Sequence, residues 1–117
     1  MELAQVLHHA GALITLCMGG LGLLRPQLAA RLTGLEPRGR LGSSELRATY
    51  GGLFAALGAF ALLTRDEVAF ALVGVAWLGS AAARVGDAFL LGGDRNVWRA
   101  ALFEAGMALL LLAPASR

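Results

Sequence analysis

The sequence predicts an all-α protein: an antiparallel bundle of four transmembrane helices, one integral membrane domain over residues 1–117. Three observations carry this. Hydrophobic residues make up 57% of the chain and charged residues 15%, against about 25% charged in soluble domains. Mean hydropathy is +0.67, and a chain of 117 residues cannot hide that much apolar surface in an aqueous core, because small domains bury a smaller share of their surface. Finally, the apolar residues gather in four runs close to the roughly 20 residues a helix needs to cross a bilayer. None alternates with period two, and lipid admits only helices and closed barrels.

The first run predicts a helix over 3–24. Glu2 and the lack of Lys or Arg ahead of it, together with its length, argue for a helix of the mature protein rather than a signal peptide. Pro26 stops it. In the connection "RPQLAARLTGLEPRGRLGSSE", Pro26 suits a first helical turn. Leu28, Leu32 and Leu35 share one side, with Arg25 and Arg31 elsewhere. Residues 26–36 are then either an amphipathic segment on the membrane surface or a loop with scattered leucines. The second helix is expected over 45–64, N-capped by Ser43 or Ser44, with Glu45 in its first turn. "TRDE" makes a tight hairpin into a third helix over 67–91, and "GGDRN" another into a fourth over 97–113. The fourth is interrupted by Arg99 and Glu104, and Pro114 ends it.

Arginine in short loops marks the cytoplasmic side. The first connection holds Arg25, Arg31, Arg38 and Arg40, and the third holds Arg95 with Arg99 just inside the next helix. The second holds Arg65 beside Asp66 and Glu67, and the C-terminus adds Arg117. Loops one and three are therefore expected inside and both termini outside.

This orientation gives meaning to the stretch "SSELRATYGGLFAALGAFALLT", which puts Arg47 and Tyr50 at the mouth of an apolar run. At helical spacing Arg47, Tyr50 and Phe54 share a face, as do Ser80, Arg84 and Asp87, and Ala100, Glu104 and Met107. All three stripes fall in the inner half of the bundle. A lone charge in hydrocarbon costs about 2.5 to 3.5 kcal/mol on insertion scales. The charges balance if Arg47 and Arg84 meet Asp87 and Glu104, with Tyr50 donating its hydroxyl to a carboxylate. Such a network is either a structural staple or a ligand or proton site, and the residues leave both open. Gly51, Ala55 and Ala59, with Gly58 nearby, form one small-residue ridge; Ala82 and Gly86, beside Gly79 and Ala83, form another. Each suits close packing inside the bundle or an oligomer face.

Other chemistry finds little support. His8 and His9 point about 100° apart on a helix and cannot both be axial ligands of one haem. No metal or cofactor is expected within the chain, and contact with a partner's cofactor stays open. Ser80 has no histidine at its depth, and Glu104 and Asp87 would act as an acid/base pair only if burial split their pKa values. Trp98 reads as an interface anchor, Trp77 as a packing residue and Cys17 as a buried, inert thiol. A net charge of +2 without a basic stripe excludes nucleic-acid binding, and no phosphate-binding glycine loop is present.

"ELRATYGG", with the distant "AARVGD" and "FEAGMALL", resembles a bacterial family of small four-helix membrane proteins, domain of unknown function 4345. The resemblance covers roughly residues 43 to 113 and, more loosely, the first helix. Glu45, Leu46, Arg47, Tyr50, Gly51 and Gly52 carry it, and Arg84 and Glu104 match its polar positions. Where the family tends to place Asp-Gly, this chain has Leu91-Gly92, with acids at Asp87 and Asp94. The resemblance implies the four-helix fold and the bacterial inner membrane, and no activity. Three functions are then open. The first is an accessory or interaction subunit that meets membrane lipid and packs against another membrane protein or itself. The second is a small transporter or proton path, against which the lack of an acid beyond Glu2 in the first helix counts. The third is an enzyme on a lipid or quinone-like molecule, with Tyr50, Arg84 and Glu104 lining an inner pocket.

Overall fold

The structure, a computed structural model, describes residues 2–115, which are helical with no strand. The helices are α1 (Leu3–Leu24), α2 (Pro26–Thr33), α3 (Gly39–Thr64), α4 (Glu67–Leu91) and α5 (Arg95–Leu112). Three of them, α1, α3 and α4, are long and apolar enough to cross a membrane. The last, α5, has 18 residues but carries Arg95, Arg99 and Glu104, so it holds no 18-residue stretch as free of charge as those of the other three. Arg117, counted above in the charge asymmetry, lies outside the described residues.

Several boundaries follow chemistry that the apolar runs do not reveal. Part of the first connection is helical: α2 starts at Pro26, whose ring presets a helical φ. It stops at Gly34, where φ is 76° and the backbone N–H reaches the Ala30 carbonyl. Pro26, Ala29 and Ala30 are its buried residues, while Leu32 and Leu35 are exposed. The second long helix begins at Gly39, six residues before the expected start, so Ser43 and Ser44 lie inside it rather than capping it. Polar residues continue this helix because an exposed turn needs no apolar face. Both hairpins use aspartate caps: Asp66 accepts from the Val68 N–H and Asp94 from the Val97 N–H, each at 3.0 Å. The Asp94 cap is why α5 starts at Arg95 and not at Val97. Asp94→Ala should cost about 1 kcal/mol, read as a lower thermal midpoint in detergent, with Asp87→Ala as a neutral control.

The chain forms two compact units, Ala12–Thr64 and Met1–Gly11 with Arg65–Arg117. In the first, the later turns of α1 run antiparallel to α3, glycine against backbone. A Cβ on Gly19 would strike the Ala55 backbone, one on Gly22 the Tyr50 carbonyl, and one on Gly58 would lie 2.6 Å from the Leu16 nitrogen. Small residues allow such approach where lipid provides no hydrophobic drive between helices. At this contact α3 widens into a π-helical segment, Ala48–Leu53. In contrast, Cys17 is exposed, contrary to expectation. It lies on the α1 face with Leu13 and Leu24, away from Gly19 and Gly22.

In the second unit α4 and α5 form an antiparallel hairpin. Phe70, Val73, Trp77, Ala81 and Ala88 are buried on α4, and Ala101, Glu104, Ala108 and Leu111 on α5. The offsets of three and four make a coiled-coil-like seam. Trp77 packs edge-on against Phe103 at 5.8 Å, as a packing residue should, and half-exposed Trp98 packs edge-on against Phe89 at 5.6 Å.

Candidate functional site: a charged pair in the helical seam

Glu104 occupies a position in the seam that its helical neighbours fill with Ala101 and Ala108. Its side chain is 7% exposed. A carboxylate there needs donors, and α4 provides them from one face, four residues apart. The Ser80 hydroxyl donates to Oε2 and the Arg84 Nε–H to Oε1, while Arg84 Nη2 donates to Oε2 at 3.2 Å. The guanidinium thus meets the carboxylate through two parallel N–H bonds, the strongest geometry for such a pair. The Arg84 side chain is 39% exposed, so its aliphatic stem packs and its head reaches outward. Both Glu104 oxygens are taken. Among the described residues no buried side-chain nitrogen or oxygen lacks a partner.

Of the five residues expected to form one buried network, three lie in the second unit and two in the first. Arg84 and Glu104 meet, with Ser80 as a third member that the shared Ser80–Arg84 face made findable. Asp87 is exposed. The buried register of α4 runs through Ala81 and Ala88, and Asp87 is one residue, about 100°, off that line. Arg47 and Tyr50 belong to the other unit. Arg47 is exposed and Tyr50 half-buried, its ring 5.7 Å from that of Phe54. The expected bond from the Tyr50 hydroxyl to a carboxylate is not made among the described residues. Tyr50 lies in the π-helical segment Ala48–Leu53, where each turn takes up more residues than an α turn.

The histidines are better satisfied than an interfacial reading suggests. His8 is buried, and its Nε2–H donates to the Ala113 carbonyl at 2.7 Å. His9 Nδ1–H donates to the Gln5 carbonyl at 2.7 Å. Both rings pack on Phe70, at 5.4 and 5.1 Å. No cluster of three or more His, Cys, Asp or Glu among the described residues could hold a metal ion. No family model, curated protein or solved structure matches the chain.

Proposed function

We propose that the chain is a small integral membrane protein of the bacterial inner membrane that works by packing, as an accessory subunit of a membrane complex or as a homo-oligomer. In this reading α5 joins α1, α3 and α4 as a fourth span, its charges answered within the α4–α5 hairpin. Loops one and three face the cytoplasm and both termini face outward, following the arginines. The resemblance of Glu45–Gly52, Arg84 and Glu104 to domain of unknown function 4345 belongs to the same reading.

One observation supports a structural role over a transport or catalytic one. Glu104 has both oxygens bonded, Oε1 by Arg84 and Oε2 by Ser80 and Arg84, so its charge is answered within the hairpin and the pair reads as a staple. Large apolar side chains meanwhile stand uncovered, among them Leu24, Leu63, Leu90 and Leu102, each at least 76% exposed. Lipid and a neighbouring protein are the surroundings that suit them. The test is a gentle-detergent pull-down with cross-linking from native membranes. A stoichiometric partner or a second copy is expected. A monomer without partners that moves protons or a solute, and loses this with Glu104→Gln at normal folded yield, would overturn the reading.

The membrane reading has its own check in Cys17, exposed in the middle of α1. A charged, impermeant maleimide should leave it unlabelled in intact membranes and label it fully in denaturant. Rapid labelling without denaturant would mean that this face meets water.

A further inference from the structure

At the end of the second unit where α1 and α4 begin, two cavities share walls. One, of about 410 Å³, is lined by Gln5, His8, His9, Arg65, Glu67 and Phe70. The other, of about 260 Å³, shares His8 and Glu67 and is otherwise apolar, with Val68, Ala71, Leu111 and Leu112 along it. The first has a volume within the range of about 300–1,000 Å³ typical of small-molecule sites. Charged and imidazole side chains stand around the first open hollow and leucines and valine along the second, an arrangement that suits an amphiphile with head and chain side by side.

The side-chain chemistry around the first hollow narrows the head. Arg65 and Glu67 are exposed and make no ion pair or hydrogen bond among the described residues, so a cation and an anion at its wall are both accessible to a ligand. Arg65 is also the one described non-glycine residue with positive φ, 53°. An L-residue there costs roughly 1 to 2 kcal/mol, and strain of this kind gathers at functional sites. The two imidazoles add acceptors. Each already donates one ring N–H to a backbone carbonyl, which leaves the lone pairs of His8 Nδ1 and His9 Nε2 in the neutral rings.

We propose that this end of the hairpin binds a phospholipid with an ethanolamine head, the phosphate on Arg65, the ammonium on Glu67 and an imidazole nitrogen, and one acyl chain along the Val68–Leu112 groove. The shared chemistry is a phosphate joined to a primary ammonium. Choline lacks the N–H donors that Glu67 and the imidazoles accept, and glycerol lacks the cation. The proposal rests on the membrane reading above, since the groove needs a chain to fill it.

The test uses the full chain in detergent and native mass spectrometry with ethanolamine, choline and glycerol phospholipids of identical chains. Ethanolamine lipid should be retained about tenfold better than either of the others, the worth of a charge-assisted hydrogen bond. Glu67→Gln should erase that preference, and Arg65→Gln should weaken all three lipids, both at unchanged helicity by circular dichroism. Equal retention of the three lipids, or a preference untouched by Glu67→Gln, overturns the proposal. Equally tight binding of chain-free glycerophosphoethanolamine would assign the first hollow to a soluble zwitterion and overturn the lipid source. Carbonate extraction of membranes separates the two readings: release of the chain sinks the membrane assignment, whereas a chain that stays embedded without a lipid preference sinks only this site.

Discussion

Arg84→Met should destabilise the α4–α5 hairpin by about 3 kcal/mol, and adding Glu104→Met should restore most of the loss. Removing one partner of a buried pair leaves the other charge uncompensated, at roughly 3 to 5 kcal/mol, whereas replacing both with apolar groups is often neutral or stabilising. The low end fits here because the Arg84 side chain is 39% exposed and solvent or headgroups screen it. The exposure also sets an order. Glu104 is the buried partner, so losing Arg84 strands a carboxylate in the seam with only the Ser80 hydroxyl to satisfy it. Glu104→Gln strands a guanidinium that can turn outward, and the amide oxygen still accepts one bond, so it should cost about 1 to 2 kcal/mol and lower folded yield moderately. Thermal midpoints of the wild type, both single variants and the double variant in one detergent complete the cycle. Equal midpoints for Arg84→Met and the wild type would remove the staple from the argument.

What the sequence made legible depended on whether the relevant period was the α-helical one. Hydropathy delimits α1 at 3–24 as one apolar run stopped by a proline, and places α4 at 67–91 once the helix is carried past Arg84 and Asp87 to the glycines at its end. The partners Arg84 and Glu104 were findable for the same reason: a charge in a run of Ala, Leu and Gly has to be answered, and few groups can answer it. The start of α3 was hidden because residues 39–44 are polar and glycine-rich, and only their exposed position lets them be helical. The π turn at Ala48–Leu53 has no hydropathy signature, so a face drawn with an α-helical period cannot anticipate it. Asp87 failed more simply. Offsets of four and three from Ser80 name a face, but which face is buried is decided by the partner helix, and α5 meets the line through Ala81 and Ala88. The cavity pairing His8 with Arg65 and Glu67 joins residues nearly 60 positions apart, which no local spacing brings together.

Gly58→Ala should cost about 1 to 3 kcal/mol, the range for forcing atoms into a packed interface, and Gly58→Leu should prevent the α1–α3 pair from forming. The new Cβ would lie 2.6 Å from the Leu16 nitrogen and 2.7 Å from the Ala12 oxygen. Both are backbone atoms, so no side-chain rotation relieves the clash and the two helices must separate. Separation would also loosen the contacts of Gly19 and Gly22 with the Ala55, Gly51 and Tyr50 backbone one and two turns away, because both helices are stiff over that length. The same substitution where nothing lies nearby should act oppositely. Gly86 has no neighbour within 4 Å of its added Cβ, so Gly86→Ala should gain about 0.5 to 1 kcal/mol from the higher helix propensity of alanine. The two variants change the same atoms in the same residue type, which makes their difference a direct reading of how near the backbones lie. Thermal midpoints in one detergent measure it. If Gly58→Ala rises with Gly86→Ala, the glycines of α1 and α3 are not at a backbone contact, and the small-residue ridge of α3 must face something outside the chain.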